Sequence, residues 1–137
     1  SELQGCELPE DMARLMIDEY PILSIAASFA NSPSQFDGLG ELKIKESNRL
    51  ELIRQNLDQC GIFCNTDKDN LFIDPTKKNK INNNNIKTDY DHRIAMSFAI
   101  MGTKLDEEII IQDSESINTS FPKFIKKFNL IGGKIIE

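Results

Sequence analysis

Two arginines occupy the first turns of two predicted helices, where positive charge is unusual. Arg49 follows Ser47 closely, and Arg93 follows Asp91, the predicted N-cap of its helix. A helix N-terminus carries partial positive charge and free backbone N–H groups, so acidic side chains are normally favoured there. Two arginines at such positions, with Lys45 beside the first, suit the binding of a phosphate or carboxylate. The pattern predicts anion binding, and solvated helix ends whose cations point into water are the alternative.

The helix that contains Arg49 is predicted from apolar residues at helical spacing, namely Leu50, Ile53, Leu57 and Cys60. Ser47 is the predicted N-cap, and Asn48 with Glu51 offers a second capping register. Gly61 suits the position after the helix, where a left-handed backbone is common.

Other polar side chains near the arginines have both structural and chemical interpretations. His92, the only histidine, would more commonly cap or hydrogen-bond than catalyse. Arg93 could form a structural ion pair with Asp89 or Asp91. Asp18 precedes another predicted helix, where the helix dipole favours an acid.

Composition predicts one soluble globular domain and restricts its partners. The chain has 137 residues, a net charge of −6 and 28% charged residues, so it lacks the basic character that nucleic-acid binding requires. We expect no membrane partner either, because no apolar run is long enough to span a bilayer. The three cysteines are an odd number without metal-binding spacing, which favours a reducing, cytoplasmic compartment.

The order of predicted elements indicates a mixed α/β fold. Two helices, after Pro21 and after Asp91, are apolar on nearly every face and should be buried. The segments "IFCNT" and "LFID" predict a hairpin, and "EIIIQD" predicts a strand covered on both faces. Near the end, "TSFPKFIKKFNLIGG" predicts one helix and "KIIE" a closing strand.

Two segments are predicted to lack regular structure. Residues 9–14 are interpreted as a connection, and residues 75–88 as a flexible surface loop, because "KKNKINNNNIK" is polar and low in complexity.

Four motifs together resemble one enzyme family. The segments "LMIDEYPILSIAASFA", "LKIKESNRLELI", "TDYDHRIAMSFAIMG" and "NTSFPKF" occur in the order and similar spacing of 3-phosphoshikimate 1-carboxyvinyltransferases, the 5-enolpyruvylshikimate-3-phosphate (EPSP) synthases. The resemblance covers essentially the whole chain outside the asparagine-rich loop. It implies an α+β fold of repeated βαβαββ units, with buried helices and outer sheets, and substrates bound between two domains.

The resemblance also implies an activity. Such an enzyme transfers the enolpyruvyl group of phosphoenolpyruvate to the 5-hydroxyl of shikimate 3-phosphate and releases phosphate, a step of the shikimate pathway to aromatic amino acids. It implies no cofactor and no metal. The resemblance is to the C-terminal portion of the family, so residues 1–137 would be a C-terminal fragment, and the start at Ser1 without an initiator Met agrees with this expectation. We expect it to need the missing N-terminal domain and to be inactive alone.

Residue by residue, the resemblance implies three roles at the reacting centre. Asp18 matches the acceptor of the 5-hydroxyl proton and a shikimate 3-phosphate contact. Glu46 matches the residue that passes a proton to and from the methylene carbon. Lys45 matches a contact to shikimate 3-phosphate and to the reacting atoms.

Three further positions match groups around phosphoenolpyruvate. Arg49 and Arg93 match the arginines that bind its carboxylate, and His92 matches a supporting active-site position. We therefore expect Lys45, Arg49 and Arg93 to direct their charges toward one open surface, with the carboxylates at its edge.

Two departures from the family pattern affect particular roles. Asn48 stands where the family often has an aspartate, which removes a negative charge beside Arg49. Glu115 lies in a region where many relatives have a phosphate-binding lysine, so no phosphate contact is expected from it.

Two alternative functions share the cationic residues. A UDP-N-acetylglucosamine enolpyruvyl transferase has related chemistry but lacks this combination of "KESNR" and "DHRIAM". A non-catalytic anion-binding module would need only Lys45, Arg49 and Arg93.

Overall fold

A four-stranded sheet carries most of the β-structure of the chain. The computed structural model describes residues 2–78 and 80–137. Ser1, and Asn79 in the predicted loop, lie outside the described residues. The strand order is β1-β2-β4-β3, with β1 parallel to β2 and the other pairs antiparallel. The strands of this sheet are β1 (Glu7–Leu8), β2 (Ser34–Phe36), β3 (Ile62–Asp67) and β4 (Asn70–Lys78). The hairpin predicted from the sequence is confirmed as β3 and β4.

A second, parallel sheet contains only two short strands. It pairs β5 (Asn85–Ile86) with β6 (Ile110–Ile111). The helices are α1 (Glu10–Met16), α2 (Tyr20–Ser28), α3 (Arg49–Gln59), α4 (His92–Gly102), α5 (Ser116–Ser120) and α6 (Phe124–Leu130). The 3-10 segment Ile17–Glu19 directly precedes α2, and a second 3-10 segment, Gly40–Ile44, precedes the turn before α3.

The two apolar helices pack against each other, as their composition predicts. α2 contacts both α4 and β4, and α3 covers β3. Tyr20 and Ile25 from α2 join Ile94 and Phe98 from α4 in the continuous apolar core. This packing matters for the polar residues, because Asp18 lies just before α2 and Arg93 lies in the first turn of α4.

The helix ends confirm one predicted cap and correct another. The Asp91 side chain accepts hydrogen bonds from the backbone N–H groups of Arg93 and Ile94, as expected of an N-cap. For α3 the second predicted register is confirmed, because Asn48, and not Ser47, caps the helix by accepting a bond from the N–H of Glu51. Gly61 has a φ of 80° just after α3, which confirms its predicted position.

Both segments predicted to be irregular contain regular structure. Residues 10–16 form α1, a short helix in which only Ala13 is buried and Leu15 is exposed, so its apolar residues do not mark a buried face. In the predicted loop, β4 continues to Lys78, which pairs with Ile62 beyond an irregularity in the ladder. The loop also contains β5, because the fully buried Ile86 joins the core. Among the described residues of the predicted loop, 80–84 and 87–88 lack helix and strand.

Three predictions for the C-terminal third are wrong in detail. β6 has two residues, and Ile110 is 53% exposed, so this strand is not covered on both faces. The single predicted helix is divided into α5 and α6, because Phe121 leaves the helical conformation before Pro122, as residues before proline tend to do. The segment "KIIE" forms no strand, and its Ile136 is exposed.

Burial of α4 should account for much of the stability of this fold. We predict that Phe98→Ala, at a fully buried position, lowers the free energy of unfolding by about 3–5 kcal/mol. Phe121→Ala is the matched control, since that ring is 40% exposed and packs mainly on Phe124. Denaturant unfolding of both variants provides the measurement, and equal losses would contradict the burial of α4.

Candidate functional site

Three segments that are distant in sequence bring their charged side chains together. The 3-10 turn Ile17–Glu19 supplies Asp18, and the residues between the second 3-10 segment and α3 supply Lys45 and Glu46. The first residue of α3 is Arg49, and the first turn of α4 supplies Arg93. These are the side chains that the sequence singled out.

Asp18 is the point where the three predicted cations meet. Its Oδ1 accepts a hydrogen bond from Arg49 Nη1 at 3.1 Å and lies 3.5 Å from Lys45 Nζ. Its backbone oxygen accepts a hydrogen bond from Arg93 Nη1 at 3.0 Å. The three cations therefore converge on Asp18, although the predicted open surface does not include Arg49, whose side chain is buried. The Asp18 side chain remains 43% exposed, so one side of the carboxylate is open to solvent.

Arg49 differs from the expectation of a cation on an open surface. Its side chain is only 1% exposed, and it binds three carboxylates. Nη1 contacts Asp18, Nη2 donates to Glu46 at 2.5 Å, and Nε donates to Asp91 at 2.8 Å. A buried guanidinium needs such partners, because an uncompensated buried charge is strongly unfavourable. The first turn of α3 thus contains a neutralised internal cation and not an exposed one.

Arg93 is the more accessible arginine of the pair. Its side chain is 37% exposed, and besides Asp18 its Nη1 lies 3.4 Å from Glu19. The guanidinium of Arg93 does not form the alternative ion pair with Asp89 or Asp91. From Arg93, Asp91 accepts a hydrogen bond from the backbone N–H but none from the side chain. Asp89 lies 3.4 Å from Lys87 instead.

Asp91 connects the two arginines from inside the fold. Its side chain is fully buried, with Oδ1 on the α4 N-terminus and Oδ2 bonded to Arg49 and to the hydroxyl of Ser47. Burial alone would raise the pKa of Asp91, but the hydrogen bonds from Arg49 and Ser47 outweigh it and lower the pKa. The charged carboxylate therefore stabilises the fold above its usual pKa of 3.8, and this stabilisation is lost as the pH falls through the lower folded-state pKa.

Sequence reasoning missed this second role of Asp91 and the bond from Ser47. Both residues were assigned only to local caps, and neither pairing follows from local spacing. Ser47 and Asp91 are 44 residues apart. The available signal was the position of Arg49, a cation in the first turn of a predicted helix with an apolar face.

The remaining predicted positions contribute less to the cluster. His92 is the half-buried first residue of α4, and its imidazole forms no hydrogen bond with the part of the chain that the structure describes. Asn48 is occupied in capping α3, and Glu115 is exposed just before α5. Within residues 2–78 and 80–137, no group of side chains has the arrangement needed to bind a metal. Across the same ranges, no helix is long and apolar enough to cross a membrane.

Comparison with known proteins identifies the family of the chain. The family model for EPSP synthase (3-phosphoshikimate 1-carboxyvinyltransferase) matches residues 4–128. The chain belongs to the EPSP synthase family. It is 43% identical to a 3-phosphoshikimate 1-carboxyvinyltransferase of Paramagnetospirillum magneticum, over 98% of this chain and 30% of that protein. It is 41% identical to the corresponding protein of Brucella canis, over 100% of this chain and 31% of that protein.

Solved structures of EPSP synthases share the fold. One from Acinetobacter baumannii superposes with a TM-score of 0.88 at 36% identity, covering 97% of this chain and 31% of that chain. A second, also titled EPSP synthase from that organism, gives a TM-score of 0.85 at 32% identity, covering 99% of this chain and 32% of that chain. The predicted α+β fold class is confirmed. The chain spans about 30% of the length of these curated relatives.

The burial of Arg49 leads to a prediction about stability. Arg49→Lys keeps the charge but cannot reach three carboxylates with a planar fork, so we expect a loss of about 2–4 kcal/mol in the free energy of unfolding. Arg54→Lys is the matched control on the same helix, because Arg54 pairs with Glu51 at a partly exposed position. Arg54→Lys should lower the free energy of unfolding by less than about 1 kcal/mol. Chemical denaturation of both variants tests this, and a similar small loss for both would contradict the tight pairing of Arg49.

Proposed function

We propose that this chain forms the C-terminal part of an enzyme that transfers the enolpyruvyl group of phosphoenolpyruvate to the 5-hydroxyl of shikimate 3-phosphate, releasing phosphate. The observation that carries the proposal is the half-exposed carboxylate of Asp18, held between Arg49 and Lys45 beside an accessible Arg93. Both substrates are anions, and the reaction requires proton transfer as well as binding. The cluster offers cations and carboxylates together.

Asp18 is proposed as the acceptor of the 5-hydroxyl proton. Arg49 and Lys45 both approach Oδ1, while Oδ2 has no hydrogen-bond donor among the described residues. The carboxylate is therefore fixed through one oxygen and has the other available for a substrate hydroxyl. Fixing a base in this way favours a reactive geometry without using its free lone pairs.

Lys45 and Arg93 are proposed as the first anion contacts, because their side chains are partly exposed. Lys45 serves shikimate 3-phosphate, and Arg93 serves the carboxylate of phosphoenolpyruvate. Arg49 is already occupied by carboxylates, so it can bind phosphoenolpyruvate only when one of them leaves. Glu46 is the carboxylate best placed to leave, since its side chain is 55% exposed whereas Asp91 is buried.

This exchange gives Glu46 its proposed proton-transfer role. When the phosphoenolpyruvate carboxylate replaces Glu46 on Arg49, the Glu46 side chain is released beside the methylene carbon. In the addition step, Glu46, protonated from solvent on its release from Arg49, gives that proton to C3 while the 5-hydroxyl oxygen bonds to C2 and Asp18 takes the hydroxyl proton. In the elimination step, Glu46 takes a proton back from C3, the C2–phosphate bond breaks, and the leaving phosphate takes the proton held by Asp18. His92, in the first turn of α4, is assigned a supporting role beside Arg93.

The remaining part of the substrate sites is assigned to a further domain of the longer enzyme. We propose that the N-terminal domain closes over this cluster and that the 137-residue chain alone does not turn over substrate. The described cysteines are free thiols, which supports a cytoplasmic enzyme. No cofactor enters the proposed reaction.

The choice of acceptor tests the proposed function directly. The full-length enzyme should release phosphate from phosphoenolpyruvate when shikimate 3-phosphate is present and not when UDP-N-acetylglucosamine replaces it. Release with the UDP-sugar alone would favour the related transferase. Anion binding without release in either mixture would favour a non-catalytic module.

The proposed base predicts the effect of Asp18→Asn in the full-length enzyme. Asparagine preserves shape but cannot accept the proton, so kcat should fall by roughly a hundredfold or more. The KM for either substrate should change much less, because the loss is in the transition state. Asp11→Asn, which changes an exposed carboxylate on α1, is the control. A raised KM with unchanged kcat would make Asp18 a binding residue instead.

The accessible arginine predicts the opposite kinetic pattern. Arg93→Ala should weaken phosphoenolpyruvate binding by on the order of 1.5–3 kcal/mol, through the loss of a charge-assisted contact. Isothermal titration of phosphoenolpyruvate to the full-length enzyme provides the measurement. Unchanged affinity would show that another group, and not Arg93, binds the carboxylate of phosphoenolpyruvate.

A further inference from the structure

The most deeply buried charged group of the cluster lies outside the roles assigned so far. Asp91 is fully buried, and each of its carboxylate oxygens has a different task. Oδ1 accepts the backbone N–H of Arg93 at 3.0 Å and that of Ile94 at 3.4 Å. Oδ2 accepts Arg49 Nε at 2.8 Å and the hydroxyl of Ser47 at 2.8 Å.

Helix capping alone does not explain this arrangement. Capping α4 requires one side-chain oxygen, and asparagine or serine supplies one as well as aspartate does. A charged carboxylate in the interior is unfavourable unless it is paired. Its second oxygen is paired with Arg49, on another helix, which indicates a function that requires the charge.

The contact to Nε has a particular geometric effect on Arg49. Nε carries a single hydrogen in the plane of the guanidinium, so a bond there fixes the orientation of the whole fork. The two Nη atoms of that fork contact Asp18 and Glu46. Whatever holds Nε therefore also determines where the donors for these two carboxylates are placed.

We infer that Asp91 is a positioning residue for the enolpyruvyl transfer: through Oδ2 it orients the Arg49 guanidinium that holds Asp18 and Glu46, and through Oδ1 it fixes the first turn of α4 that carries Arg93. This inference rests on the proposed function for its kinetic consequences. One buried carboxylate thereby sets the distance between the two arginines and keeps both proton-transfer groups in place. It also continues to hold Arg49 when Glu46 leaves.

The kinetic test is Asp91→Asn in the intact enzyme that contains this chain. The variant keeps the side-chain oxygen that caps α4 but removes the negative charge that faces Arg49 Nε. We expect kcat to fall by about 10- to 100-fold, the range for a lost charged hydrogen bond. Ser47→Ala removes only the second donor to Oδ2 and should lower kcat less than Asp91→Asn does. Glu51→Gln, which breaks the surface pair with Arg54 on the same helix, should leave kcat within about twofold of the parent.

The structural test does not depend on catalysis. With ¹⁵N-labelled arginine, the Nε–H of Arg49 should exchange with water much more slowly than that of the partly exposed Arg54 in the parent enzyme. This protection should be lost in Asp91→Asn and kept in Ser47→Ala. Fast exchange at Arg49 in the parent would overturn the inference even if no variant folds.

The two tests together separate this inference from the proposed function. An Asp91→Asn enzyme that folds with parental kcat overturns the positioning role, since capping alone is then sufficient. A parent enzyme that shows no transfer to shikimate 3-phosphate overturns the proposed function, and the exchange rate of Arg49 Nε–H still decides whether Asp91 orients that arginine. Loss of exchange protection with a fall in kcat supports both.

Discussion

The buried guanidinium of Arg49 is the interaction on which the arrangement of the site depends. A cation with 1% exposure must be surrounded by compensating charge, and no single neighbouring segment supplies enough of it. Its partners come from the turn before α2, the turn before α3 and the N-cap of α4. Satisfying one side chain therefore requires three segments, up to 42 residues away in sequence, to meet at one place.

The apolar core makes that meeting rigid. α2 and α4 pack against each other, and the residues that carry the site lie at the starts of α2, α3 and α4 or just before them. Close-packed interiors resist displacement, so a shift of either helix would disturb core contacts such as those of Tyr20 and Phe98. The polar cluster and the core thus constrain each other: the core fixes the helix ends, and the ion pairs fix the turns that join them.

Local patterns predicted those features that are determined locally. The apolar repeat of α4, the cap at Asp91 and the β3–β4 hairpin all follow from nearby residues. Long-range contacts decided the rest: the hydroxyl of Ser47 bonds to Asp91, so Asn48 caps α3 instead. The burial of Arg49 was equally hidden, because local sequence shows a cation but not the carboxylates that will surround it. The motifs located the candidate residues, but only the folded structure distinguishes the accessible Arg93 from the enclosed Arg49.

The enclosure of Arg49 by carboxylates changes how an anion must bind to this site. If the cations were free, they would repel one another, and any anion would bind by simple addition. Here Lys45 and Arg49 already approach Asp18, and Arg49 also holds Glu46 and Asp91, so the charges largely compensate one another. An incoming carboxylate must replace one that is already bound, and it gains affinity only by exceeding the interaction it displaces. Under the proposed mechanism, that replacement releases Glu46 for proton transfer, so binding of the first substrate and activation of the acid–base group become one event.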